Sequence, residues 1–330
     1  MRACVLTSLG STAALQMQDI ADPVPGSGEV LIDVRAAGVT YADLLVIEGK
    51  YQALPQIPFV PGKEVAGIVT ATGPGADRFK PGMRVLAFAQ HGAYAERVAV
   101  AQDSCFALPE SMSYTDAAAM GIAYQTAYFA LMDRGQYRQG ESVLVTGASG
   151  GVGLAAVQFA KAKGATVLAG LTTLSKAAAV TANGADHIID LSRPDLGKSL
   201  REQVHAVTQR RGVDIVLDPI GADVFDAALR ALAWRGRAVV IGFVGERIPA
   251  IKTNYLLIKN IAASGLYWDS YVQYAPQETA AAQRELFALY VAGKLKPAIM
   301  ETFALADTAR AFGRISRREV IGRILIELGK

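Results

Sequence analysis

Cysteine and histidine are scarce in this chain, and so are charge and long apolar runs. Two cysteines, Cys4 and Cys105, cannot build a disulfide framework, which removes the small disulfide-stapled scaffolds from consideration. The three histidines, His91, His187 and His205, show no paired spacing of the kind metal sites use. His187, at a strand start, suits a surface position. Charged residues make up 19% and the formal net charge is +3, so there is no field to draw in nucleic acid or an anionic membrane. The longest predominantly apolar runs, such as Val213 to Leu217 and Ala238 to Phe243, are strand-length rather than membrane-length. The first residues run straight into a strand pattern, Ala3 to Thr7, so no secretory leader is expected and a reducing, cytoplasmic setting fits best.

Against that plain background stands Val143-Leu144-Val145-Thr146-Gly147-Ala148-Ser149-Gly150-Gly151-Val152-Gly153. An apolar strand runs into a glycine-rich turn and then a helix, expected over Leu154 to Lys163, with the next strand from Ala165 to Ala169. A parallel strand that turns sharply presents backbone N–H groups to a pyrophosphate, and the following helix adds its positive N-terminal end. Gly150 would let the backbone approach the phosphates and Gly153 would let helix and strand pack closely. Ala148 replaces the first glycine of G-x-G-x-x-G, so the match is A-x-G-x-x-G, and a plain tight strand-to-helix turn is the alternative. Ser149, Gly150, Gly151, Val152 and Gly153 are the candidate phosphate contacts.

A further absence selects the dinucleotide. A site that prefers NAD usually places Asp or Glu about 20 residues past the glycines, to hold the ribose 2′-OH. No Asp or Glu occurs from Ser142 to Ala185. A carboxylate would repel a 2′-phosphate, whereas Thr172, Thr173, Ser175 and Lys176 offer hydroxyls and an ammonium to accept one. NADPH is therefore the expected cofactor, although Ser175 also suits a helix N-cap and Lys176 a solvated helix face.

At 330 residues the chain exceeds what one core usually organises, so two domains are expected. Up to about Met120 the strands are short and separated by Pro/Gly punctuation, Pro23-Val24-Pro25-Gly26, Pro61-Gly62, Gly73-Pro74-Gly75 and Pro81-Gly82, as in a twisted β-rich domain. From about Gly121 strands and helices alternate, as a doubly wound parallel sheet requires. Its expected strands are Val143–Thr146, Thr166–Ala169, His187–Ile189, Asp214–Leu217, Ala238–Ile241 and Ile261–Gly265. A helix from Glu278 to Ala292 and a strand from Arg323 to Glu327 are expected to return to the first domain. The division read is 1–120, 121–265 and a returning segment, 266–330.

Several segments together carry a specific likeness. They are Pro25-Gly26 with Gly28-Glu29-Val30-Leu31, Ala37-Gly38-Val39 with Asp43, Val60-Pro61-Gly62 with Glu64-Val65-Ala66-Gly67, the glycine turn, Val213-Asp214-Ile215-Val216-Leu217-Asp218, and Asn254-Tyr255-Leu256-Leu257. From end to end the chain resembles the zinc-independent quinone oxidoreductases of the medium-chain dehydrogenase/reductase superfamily, relatives of ζ-crystallin. The resemblance implies an α/β fold, a GroES-like β-rich catalytic domain around a Rossmann domain, with the cofactor in the cleft between them. It also implies a homodimer through the edge strand near Ile261 to Gly265.

The superfamily's alcohol dehydrogenases hold a catalytic zinc with Cys and His from these segments. Here the positions read Thr40 and Lys63, and the four-cysteine structural-zinc lobe is missing, so no metal is expected. Without a metal the acceptor must already be electrophilic, and quinones and α,β-unsaturated carbonyls qualify. The resemblance places Thr40 where relatives carry an Asn near the nicotinamide and Tyr51 at the substrate mouth, while a second tyrosine position reads Leu45. It lines the cleft with Tyr124, Thr126 and Tyr128, although each tyrosine equally suits packing. It brings Gly242-Phe243, Gly265 with Tyr267, and Gly322-Arg323 toward the cofactor, and it replaces an adenine-stacking tyrosine by Leu191. Arg314, Arg317 and Arg318 suit a solvated basic face.

The expected activity is NADPH-dependent reduction of quinones or conjugated carbonyls. The rival activities are an enoyl-thioester or 2-alkenal reductase on the same scaffold, and an NADPH-binding protein with little turnover.

Overall fold

A computed structural model describes residues 1–329. The chain divides into two compact units, Met1–Ile122 with Ala275–Val291 and Pro297–Lys330, and Ala123–Tyr274 with Ala292–Lys296. The segment from Leu266 to Tyr274, read from the sequence with the returning tail, clusters with the second unit, where the Trp268 indole donates to Gln125 Oε1 at 2.9 Å.

The first unit begins with β1 (Arg2–Leu6), β2 (Leu15–Asp19) and β3 (Glu29–Val39), followed by α1 (Tyr41–Ile47). Next come β4 (Glu64–Thr72), β5 (Arg84–Phe88), β6 (Arg97–Ala101) and β7 (Cys105–Ala107), then α2 (Tyr114–Phe129), whose backbone breaks at Gly121 and whose residues from Ala123 on belong to the second unit. β1 and β2 pair with each other. The large sheet runs β14-β15-β3-β4-β5-β7, with β6 also on β3. Every strand pair in it is antiparallel except that of β14 (Ile299–Ala304) with β15 (Arg323–Glu327). The alternation of β3 puts Val30, Ile32 and Val34 into a core with Val65, Val85, Val98 and Tyr94, as a half-buried antiparallel strand should. This is the GroES-like unit.

The second unit is a six-stranded parallel Rossmann sheet. Its elements are β8 (Ser142–Thr146), α3 (Gly151–Ala162), β9 (Thr166–Leu171), α4 (Ala177–Ala182), β10 (His187–Asp190), α5 (Leu196–Val207), β11 (Val213–Asp218), α6 (Ala222–Ala231), β12 (Leu232–Val240), α7 (Thr253–Lys259), β13 (Ala262–Gly265) and α8 (Trp268–Tyr274). α9 (Pro276–Val291) and α10 (Thr308–Ser316) belong to the first unit. The strand order β10-β9-β8-β11-β12-β13 reverses direction between β8 and β11. That reversal is the switch point outside which such sheets take their ligands. Every residue of β8 is buried, which explains its unbroken apolar run.

Two expected boundaries differ for identifiable reasons. α3 starts at Gly151 rather than Leu154, because Gly150 is already its N-cap and the glycines form the first turn. β12 starts at Leu232 rather than Ala238 and takes a register shift against β11. Arg235 within it has φ 63°, the mark of a bulge.

Candidate functional site

The carboxyl edge of the Rossmann sheet is built by β8 and the turn that follows it. Gly147 adopts φ 59°, a left-handed conformation that spares glycine the Cβ clash. The turn closes with Gly150 N donating to Gly147 O at 3.0 Å, and α3 opens with Leu154 N donating to Gly150 O at 2.8 Å. A methyl group on Gly153 would drive into the Gly147 carbonyl oxygen, so close packing of α3 on the turn requires glycine there. A methyl on Gly150 would meet only Gly147 O, at 3.5 Å. The first turn of α3 carries no acid and Gly150 caps it without a side-chain bond. Its N–H groups and the helix's positive end thus remain for an anion, and Ser149, Gly150, Gly151 and Val152 stand half-buried around them. These features fit a dinucleotide pyrophosphate.

β9 runs to Leu171, and the exposed Thr172, Thr173 and Ser175 follow at once, with Lys176 half-buried beside them. Ser175 lies inside a single 3₁₀ turn, Leu174–Lys176, and caps no helix. The next acids along the chain are engaged elsewhere. Asp186 takes Lys161 at 2.6 Å and Val167 N at 2.9 Å, and Asp190 takes Ser192 Oγ at 2.6 Å. Hydroxyls and an ammonium therefore follow β9 with no carboxylate in their own segment, while Asp190, in register with Leu171 on the adjacent strand, is turned to Ser192; the segment is a donor set suited to a 2′-phosphate. Leu191 is buried against the backbone position of Gly170.

Gly242 and Phe243 leave the sheet just after β12, with Phe243 37% exposed. Gly265 ends β13, and the exposed Tyr267 gives its hydroxyl proton to Asp269 at 2.9 Å. On α2 the neighbouring side chains face packing partners. Thr126 is buried, the buried Tyr124 hydroxyl donates to Gln158 Oε1 at 2.7 Å, and the Tyr128 ring lies 5.4 Å from Phe129 and 5.3 Å from Phe159.

In the first unit Thr40 caps α1 through a reciprocal box with Asp43. Thr40 Oγ1 donates to Asp43 Oδ2 at 2.6 Å and accepts from Asp43 N at 3.1 Å. The hydroxyl proton is thus directed to Asp43. Tyr94 also donates to Asp43 Oδ2, at 3.0 Å. Burial pushes the Asp43 carboxyl above the usual range, opposed by these bonds and by Lys63. The Lys63 ammonium sits 4.5 Å from the centroid of the Tyr51 ring, a cation–π contact.

Arg323, which the resemblance brings toward the cofactor, is engaged within the first unit. Its guanidinium is buried and pairs with Glu64, whose other oxygen accepts Ile122 N at 2.6 Å. Burial pushes the Glu64 carboxyl up against the opposing pull of Arg323. Arg314 is half-buried and Arg317 exposed, and both are bonded to Glu319, at 2.9 and 2.8 Å.

The donor set does not suit zinc. Among the described residues no group of three or more His, Cys, Asp or Glu could hold a metal, and burial pushes the thiols of Cys4 and Cys105 up to about 11 and about 12. Among the same residues no helix is long and apolar enough to cross a membrane. Sequence reasoning passed over Thr146 and Asp218 as individual residues. Thr146 donates to Asp218, both are fully buried, and they join β8 to β11. A buried acid at a strand end beside a glycine turn is the signal that could have found them.

Comparison with known proteins places these units. Residues 26–110 match the alcohol dehydrogenase GroES-like domain and residues 151–285 the zinc-binding dehydrogenase family. The quinone oxidoreductase-like protein 2 of Mus musculus is 35% identical over 99% of this chain and 92% of its own length. A probable oxidoreductase from Mycobacterium abscessus is 35% identical, with TM-score 0.89 over 99% of each chain. The Escherichia coli quinone oxidoreductase crystallised with NADPH is 27% identical, with TM-score 0.92 over 99% of this chain and 100% of its own. The chain belongs to the quinone oxidoreductase-like family of the medium-chain dehydrogenase/reductase superfamily.

Proposed function

We propose that this protein is an NADPH-dependent, zinc-independent reductase that transfers hydride to quinones or other conjugated carbonyl compounds. The observation that carries the reading is the strand end after β9. There Thr172, Thr173, Ser175 and Lys176 stand without a carboxylate in their segment, one strand away from a glycine turn that opens α3 with no acid in its first turn and no side-chain cap. Bound NADPH supplies the hydride. Ser149 to Gly153 hold its pyrophosphate against the N-terminus of α3. Thr126, Gly242, Phe243, Gly265 and Tyr267 flank the rest of the cofactor.

The donor set leaves nothing to polarise an alcohol as a metal would, so the substrate brings its own electrophilicity. Thr40, Tyr51 and Tyr128 are the residues proposed to contact the acceptor. Thr40 contributes shape and a lone pair, because its proton is held by Asp43. The protein's part is alignment and exclusion of water, which carry most of such a reaction. The assembly proposed is a homodimer through the edge strand β13, in the cytoplasm.

The test is NADPH oxidation by the purified protein against 1,4-quinones, 2-alkenals and enoyl-thioesters. Fastest turnover with quinones supports the reading, and fastest turnover with enoyl-thioesters or alkenals replaces it by the ene-reductase. Tight NADPH binding with no turnover of any acceptor leaves a binding protein.

A further inference from the structure

At the switch point of the Rossmann sheet a carboxyl group is buried with no cation beside it among the described residues. Asp218 closes β11 and is fully buried. Its carboxylate accepts from the Thr146 hydroxyl, from Gly221 N at 2.7 Å and, longer, from Ile220 N at 3.4 Å. Its own backbone oxygen accepts Ile241 N at 2.8 Å. Among the described residues no ionised side chain faces it. β8 contributes the neutral Thr146, the chain after β12 contributes backbone, and the acids at the start of α6, Asp223 and Asp226, are turned to Arg247 at 2.8 and 2.5 Å. A carboxylate so placed is costly unless every lone pair is used.

The donors it gathers belong to both sides of the cofactor seat. Thr146 is the last residue before the glycine turn. The loop Pro219–Gly221 lies against that turn, since a methyl on Gly147 would meet Ile220 at 3.2 Å and Pro219 at 3.4 Å. The same loop accepts the N–H groups of Val244 and Gly245 at 3.2 and 2.8 Å, and so it also fixes the segment that begins with Gly242 and Phe243. One carboxylate thus ties the pyrophosphate turn to the loop that carries the next strand end.

We propose that Asp218 is a positioning residue for NADPH, whose ionised carboxylate holds the glycine turn and the loop after β11 in the binding geometry and whose protonation loosens that seat. The proposal rests on the NADPH reading above. Protonation places an O–H on one carboxyl oxygen, so either the Gly221 amide loses its acceptor or the Thr146 hydroxyl must turn round and accept. Burial raises the acid to about 6, which puts the change within reach of ordinary buffers. Asn at this position copies the hydrogen bonding of the protonated acid at every pH.

The experiment is the NADPH dissociation constant of the full-length protein and of Asp218→Asn from pH 5 to pH 8, by calorimetry, with kcat at saturating NADPH. The 2′-phosphate titrates in the same range, so the quantity read is the ratio between the two proteins, in which its contribution cancels. The variant is expected to bind about tenfold more weakly at pH 8, the worth of one hydrogen bond to a charged group, with the gap closing to about twofold or less at pH 5. Its kcat at saturation stays within about twofold of the parent, as removal of a binding contact requires. Thr146→Val, which removes one donor while keeping the side-chain volume, moves the loss of affinity to higher pH. A gap that does not change with pH, or tighter binding by the Asn variant at pH 8 from relieved repulsion of the phosphates, overturns the proposal. Failure of the parent to bind NADPH at any pH instead removes the reading beneath it, and this inference with it.

Discussion

Thr40 and Asp43 hold each other across the first turn of α1, hydroxyl to carboxylate at 2.6 Å and amide to hydroxyl at 3.1 Å. The pair lies where the sequence points to a substrate donor, and it spends that donor on a helix cap. Thr40→Ala should cost about 2 kcal/mol, the sum of a lost cap and a buried carboxylate deprived of one partner. Chemical denaturation reads this directly. Turnover per folded molecule should fall by less than about tenfold, below the usual contribution of a proton donor. A fall of a hundredfold or more would show that the hydroxyl gives its proton to the acceptor.

The Glu64–Arg323 pair allows a similar separation of roles. Removing one partner of a buried ion pair strands the other, so Arg323→Met should lower stability by about 3–5 kcal/mol. The NADPH affinity of the molecules that remain folded should not change, because the guanidinium is turned to Glu64. Weaker NADPH binding with little loss of stability would return Arg323 to the cofactor.

Gly153→Ala tests the pyrophosphate seat sterically. The added methyl must displace the Gly147 carbonyl, an overpacking cost of about 1–3 kcal/mol. The displaced turn should raise the NADPH dissociation constant at least about tenfold. A variant that binds NADPH normally would mean that the dinucleotide sits elsewhere.

Lys176→Glu tests the choice of dinucleotide. A carboxylate beside Thr172 and Thr173 repels a 2′-phosphate and accepts a free 2′-OH. KM for NADPH should rise about tenfold or more while KM for NADH changes little or falls. Equal effects on both cofactors would place the 2′-phosphate away from this strand end.

Asp218 also has a signature in stability. Its carboxyl is raised from 3.8 to about 6 by burial, so the folded state holds a proton that the unfolded chain releases between about pH 4 and pH 6. Its contribution is full below pH 4 and is lost as pH rises through 6, a loss of about 3 kcal/mol by linkage. Against Asp218→Asn, which does not titrate, the parent's unfolding free energy should fall by that amount across this window. Equal slopes for the two proteins would show that the carboxyl is ordinary. Stability given up at a binding seat is a familiar exchange in proteins.

The parts of this molecule legible in its sequence are those set by local chemistry. β15 lies over Arg323–Glu327, the bounds read from the sequence, and the glycine turn announces both a strand and a helix. α9 begins two residues before the expected Glu278 because Pro276 suits the first helical position. Thr40 and Asp43 form a T-x-x-D cap signature, readable in advance but outweighed by the likeness that placed a donor there. What could not be read is long-range. Thr146 and Asp218 are 72 residues apart and meet only because β11 docks beside β8 in the sheet order. Glu64 and Arg323 are 259 apart and meet only because the last strand returns to the first unit. The early start of β12 was not legible because the strand carries a bulge with Arg235 at φ 63°, a left-handed conformation that no residue type there announces.

The most direct test of the central claim is the initial rate of 1,4-naphthoquinone reduction with NADPH and with NADH, after the protein has been dialysed exhaustively against a zinc chelator. The account predicts an undiminished rate and a clear preference for NADPH. A rate that vanishes on chelation and returns with added zinc, or a preference for NADH, would contradict it.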